Sequence, residues 1–158
     1  MRTHVGSICR NYDQTENFTR GVTILKSKNM IAQTEKILKY CVLGLLAIFA
    51  LATLFTFIIN WETWFFGIKL DGLPAGIALG ANSLAAVILA LAFVKFPRMN
   101  RILGVLTVLF FGFLFVNSSM TIQRVSYSHQ GFSLVLAIVL LIAVVYLIVT
   151  VVNSYQQS

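Results

Sequence analysis

Side chains that could act as nucleophiles, proton carriers or metal ligands are few in this chain and widely separated. The histidines are His4 and His129. A haem held between helices needs paired imidazoles, and none stand in an apolar run. Cys9 and Cys41 do not form a C-x-x-C pair, so thiol–disulfide chemistry lacks its motif. Glu62 and Asp71 are the acids of the stretch "NWETWFFGIKLDGLP", too few and too far apart in sequence for a metal site or an acid–base pair. No glycine-rich phosphate loop follows a strand, and no nucleophile stands near a base. The expectation is a non-enzymatic protein with no catalytic residue, no cofactor and no metal. Asn17-Phe18-Thr19 and Asn117-Ser118-Ser119 match the glycosylation sequon. The first lies in a basic tail and the second abuts an apolar run, so neither is informative.

The elements that carry these residues are dominated by apolar sequence. Of 158 residues, 58% are hydrophobic and only 11% charged, far from the balance of a water-soluble domain. Apolar stretches cover 40–59, 74–94, 102–117 and 132–152, and the uncharged "SSMTI" extends the third to residue 122. At about 1.5 Å per residue such lengths cross the roughly 30 Å hydrocarbon core as helices. Membrane strands would alternate in polarity, and none of these stretches does. Pro74 suits a first helical turn, and Pro97 follows the second helix, which makes "KFPRMNR" a tight hairpin. The expected fold is an all-α integral membrane protein, an up-down bundle of four transmembrane helices at about 37–59, 74–95, 102–122 and 132–153. Together they form a membrane domain over 30–158.

Residues 1–29 are polar, without helical or alternating period, and read as a mobile cytoplasmic tail. They lack a signal peptide's apolar segment, so helix 1 would be an uncleaved anchor, unless Met30 is the natural start. Positive charge sets the orientation. Seven cations precede helix 1, including Lys36 and Lys39, and Lys95, Arg98 and Arg101 flank the second connection. By the positive-inside rule these ends and both termini face the cytoplasm, most simply in a bacterial inner membrane. The formal charge of +7 is then explained by contacts of Lys36, Lys39, Lys95, Arg98 and Arg101 with anionic lipid, not by nucleic acid.

This topology puts Trp61, Trp64, Phe65 and Phe66 at the outer interface, as an aromatic belt or a short interfacial helix. Gly76, Gly80 and Ser83 form a small-residue stripe on helix 2 with Asn82 beside it, and Gly104 and Gly112 could supply a matching surface on helix 3. These residues are expected to pack helices together or to receive a partner. Two functions fit. One is an accessory or assembly subunit docking to other integral membrane subunits. The other is a small channel, holin or transporter, a homo-oligomer whose pore is lined by uncharged Asn82, Thr107, Asn117 and Ser118.

Overall fold

A computed structural model describes residues 5–59, 61–125 and 130–157, with the side chains of 29–59, 61–123 and 133–155. His4 and His129 lie outside the described residues, as do the side chains of Cys9 and Asn17. The elements are α1 (Val5–Ile59), β1 (Glu62–Phe65), β2 (Ile68–Asp71), α2 (Leu73–Lys95), a 3-10 turn (Pro97–Met99), α3 (Asn100–Val125) and α4 (Gln130–Gln157). Four segments are long and apolar enough to cross a membrane: Asn29–Ile59, Leu73–Lys95, Pro97–Gln123 and Ser133–Tyr155. Their outward side chains are apolar, with Ile48, Phe55, Leu84, Leu91, Leu141 and Ile148 all exposed. Buried positions include Ser83, Thr107, Ser118, Thr121 and Thr150. An apolar exterior around a partly polar interior is the arrangement that hydrocarbon surroundings favour.

Two expectations are corrected. Helix 1 does not begin near residue 37; α1 is continuous from Val5, and its apolar span begins at Asn29. Glu35 and Lys36 therefore join Lys39 on the continuous helix, near the start of its candidate spanning segment. The stretch after α1 is a β-hairpin, not an interfacial helix, with Glu62 opposite Asp71 and Phe65 opposite Ile68. Its two-residue turn places Phe66 at φ 48° and Gly67 at φ 78°, the positive pair of a type I′ turn. Gly suits the second position. Phenylalanine at the first is strained by about 1–3 kcal/mol. Thr, Trp, Phe and Ile around a two-residue Phe-Gly break were a legible hairpin signal.

The helices pack most extensively as α3 on α4 and α1 on α2, with α1 also lying against α4. Their common core holds Val42, Leu46, Phe93, Phe111, Ala143 and Tyr146, all nearly or fully buried. Phe49 meets Phe110 and Phe111 edge-on at centroid distances of 5.6 and 6.4 Å, and Phe93 meets Tyr146 at 5.7 Å. This aromatic layer separates two polar regions, one beneath the hairpin and one at the opposite, basic end.

Candidate functional site

Beneath the hairpin lies a cavity of about 270 Å³. From α1 it receives Thr53 and Thr56, from β1 Thr63 and Trp64, and from α2 Asn82. From α3 it receives Asn117, Ser118 and Thr121, while Phe49, Leu114 and Leu136 are among its apolar lining residues. Among the described residues no ionisable side chain lines it. Hydroxyls appear at these places because a helical threonine can return its hydrogen bond to its own helix and still present an oxygen to the interior. Thr53 donates to the Phe49 carbonyl at 2.9 Å, Thr56 to that of Ala52 at 2.9 Å, and Thr121 to that of Asn117 at 2.9 Å.

Asn117 also fixes the hairpin above the cavity. Its Oδ1 accepts the Phe66 N–H at 2.6 Å, and its Nδ2 donates to the Trp64 carbonyl at 3.3 Å. One turn further along α3, Thr121 Oγ1 accepts the Gly67 N–H at 3.3 Å. The strained turn is thus held by the side chains that line the cavity. Phe65 and Phe66 pack on Phe113 at 6.1 and 5.6 Å, and Trp61 stacks on Phe57 at 5.6 Å. Gly72, at φ 64° and ψ −136°, joins β2 to α2, and its N–H donates to the Trp61 carbonyl at 2.9 Å. That conformation is open essentially to glycine alone.

On the outside of the hairpin, Lys69 Nζ lies 3.2 Å from Glu62 and 3.3 Å from Asp71. The separation in sequence was misleading here, because strand pairing sets the two acids face to face. Hydrogen bonds to Glu62 first and Asp71 second hold the Lys69 ammonium above its usual range. Among the described residues no group of three or more His, Cys, Asp and Glu side chains could hold a metal.

Asn82 is half-buried on the cavity wall, and its amide has no hydrogen-bond partner among the described residues. The hydrogen bond between helices at this place is made by its neighbour: Ser83 Oγ donates to the Ala50 carbonyl of α1 at 3.2 Å. Thr107, named as a pore residue, is instead fully buried and donates to the Leu103 carbonyl at 2.8 Å. The glycine stripe divides. A methyl on Gly76 would touch Trp61 at 3.4 Å, and one on Gly104 would press Leu147 of α4 at 3.1 Å. One on Gly112 would just reach Leu140 at 4.0 Å, whereas one on Gly80 would meet nothing within 4 Å. Gly104 and Gly112 therefore face α4, not the helix 2 stripe.

At the basic end Glu35 is the centre of a second network. Asn100 Nδ2 donates to its Oε1 at 3.5 Å, and Asn153 Nδ2 donates to its Oε2. Lys39 Nζ donates to Asn100 Oδ1 at 3.2 Å and lies 6.0 Å from the Phe93 ring centroid. Lys36, Lys95, Arg98 and Arg101 are exposed at the same end. Sequence reasoning missed Glu35 by starting helix 1 two residues too late, although Glu35 and Lys39 have the i, i+4 spacing of a helical pair.

Four spanning helices around a polar cavity define a multi-pass membrane protein. Against known protein families, characterised proteins and solved structures, the chain matches none.

Proposed function

We propose that this is a non-catalytic membrane protein of the channel or transporter class, and that the cavity under the hairpin admits a small, uncharged, hydrogen-bonding solute. The observation that carries this reading is the Asn82 amide, which lies on the wall of the cavity and has no hydrogen-bond partner among the described residues. An amide left unpaired in hydrocarbon surroundings costs several kcal/mol, a cost that water or a solute with donors and acceptors removes. The uncharged lining among the described residues suits a neutral solute, and Phe49, packed edge-on against Phe110 and Phe111, is one of the apolar walls. In this reading the helices alternate in direction, the basic end and both termini lie in the cytoplasm, and the hairpin faces outward.

The test uses single cysteines in a chain lacking Cys9 and Cys41. Asn82→Cys and Ser118→Cys should react with a small, charged, membrane-impermeant thiol reagent added outside intact cells, and Leu84→Cys on the apolar exterior should not. Reaction only after the membrane is opened would reverse the orientation. Silence of both cavity positions from both sides would show a dry cavity and end the solute reading.

The accessory-subunit reading has one observation in its favour, the open room beside Gly80 on α2, which a second helix could occupy. Stoichiometric unrelated chains co-purifying in mild detergent would support it over the solute reading.

A further inference from the structure

The polar groups that line the cavity under the hairpin are not equivalent as hydrogen-bonding partners. Asn117 and Thr121 are engaged, Asn117 at both ends of its amide and Thr121 by donating to the Asn117 carbonyl while accepting from Gly67. Thr53 and Thr56 have committed their protons to their own helix. Thr53 Oγ1 donates to the Phe49 carbonyl and lies 3.1 Å from that of Ala50, and Thr56 donates to that of Ala52. A hydroxyl has a single proton, so these two residues, neighbours on one side of α1, present only lone pairs to the cavity.

Ser118 behaves differently. It is only 6% exposed on α3, and its hydroxyl has no hydrogen-bond partner among the described residues. A buried helical hydroxyl commonly returns its proton to the carbonyl four residues back, as Thr107 does to Leu103, and Ser118 does not. Unlike the sealed hydroxyls of Tyr146 and Thr150, that of Ser118 opens on the cavity. Asn82 of α2 and Thr63 of β1 are also on the wall without partners among the described residues, and both can donate as well as accept. The cavity thus has acceptor-only oxygens on one helix and free donors on the elements around it. Its volume of about 270 Å³ exceeds the roughly 150 Å³ that holds a benzene-sized molecule.

We propose that this cavity selects small neutral solutes carrying at least two N–H or O–H donors together with an acceptor, the chemistry of a urea-type amide or a small polyol. Thr53 and Thr56 receive the donors, and Asn82 and Ser118 hold the acceptor. A neutral solute that can only accept sets its lone pairs against those of Thr53 and Thr56, which a desolvated site penalises. The inference rests on the solute reading above and adds which solutes pass.

The test reconstitutes the full-length protein in phosphatidylcholine vesicles and follows solute entry by the light scattering of vesicles that shrink and reswell. Urea and glycerol carry several donors, whereas trimethylamine N-oxide is small and neutral overall with an acceptor and no donor. Urea or glycerol should enter faster than into protein-free vesicles, and trimethylamine N-oxide should not. Entry of urea alone assigns an amide and entry of glycerol alone a polyol; either upholds the proposal. The double variant Thr53→Val, Thr56→Val keeps both side-chain shapes and removes both acceptors, so it should slow entry roughly tenfold. Thr34→Val loses the same kind of bond at an exposed place outside the cavity and should enter like the wild type. Should the double variant not accumulate, Ser118→Ala decides: entry slowed severalfold upholds the proposal and wild-type entry overturns it. If trimethylamine N-oxide enters as fast as urea and glycerol, or the double variant behaves like the wild type, the selectivity is overturned and the solute reading stands. If none of the three enters faster than into protein-free vesicles, the proposal is overturned, and the reactivity of Asn82→Cys and Ser118→Cys shows whether the solute reading falls with it.

Discussion

The two polar regions of this bundle are built in opposite ways. Under the hairpin, neutral side chains of α3 hold backbone groups of a strained turn, so each hydrogen bond ties one element to the main chain of another. At the basic end, Lys39, Asn100, Glu35 and Asn153 bond side chain to side chain, beside water-facing cations. The first arrangement fixes where chain segments lie. The second can exchange its partners for water at low cost. In a bilayer, neutral amides and hydroxyls can therefore be structural deep in the bundle, while charged groups collect where solvent is near.

The sharpest way to break this contrast is to remove one asparagine from each region. Asn117→Leu leaves the Phe66 N–H and the Trp64 carbonyl without partners and should lower stability by about 2–4 kcal/mol. Asn100→Leu at the basic end should cost about 1 kcal/mol or less, because Lys39 and Glu35 can turn to water. Unfolding in detergent compares them, and equal losses would erase the distinction. Limited proteolysis should also cut the hairpin faster in Asn117→Leu.

A second comparison sets Gly104 against Gly80. Gly104→Leu drives a branched side chain into Leu147 and Tyr146 and should cost about 1–3 kcal/mol by overpacking. Gly80→Leu has open space and should melt like the wild type. If Gly80→Leu proves as damaging in the purified protein, α2 is covered by another helix there.

The smallest effect belongs to Lys69. Its folded-state pKa is raised, so its contribution to the hairpin is complete below the unfolded value of about 10.4 and is lost as pH climbs through the folded one. The pair is solvent-exposed, so the slope will be slight. Subtracting the alkaline unfolding profile of Lys69→Met from that of the wild type should reveal a shallow loss above that pH and none below it.

The four spans were legible because long uncharged runs have one stable outcome in lipid. The hairpin was not read, because its aromatic residues were weighed for membrane depth and not for strand propensity, and Glu62 and Asp71 were judged by separation in sequence. Asn82, Asn117 and Ser118 were expected to line the pore of an oligomer, whereas the structure brings them to one cavity within a single chain. Thr53, Thr56, Thr63 and Thr121 were missed, since a threonine that bonds its own backbone looks unremarkable in a single helix. Thr107 shows the opposite error, a polar residue satisfied locally and facing no cavity. Which glycine is crowded depends on the rotation of each helix, and composition carries no information about that.

Asn117 belongs at once to the hairpin and to the cavity beneath it, and this imposes a reciprocity. An occupant that draws the amide toward itself must loosen the grip on the Phe66 turn, and the coupling free energy is the same in both directions. In the proposed solute reading, anything that lifts the hairpin will change the affinity of the cavity by the same factor, and relief of the turn's strain favours the lifted state. The loop thereby becomes a handle by which events at the surface can be felt inside the bundle.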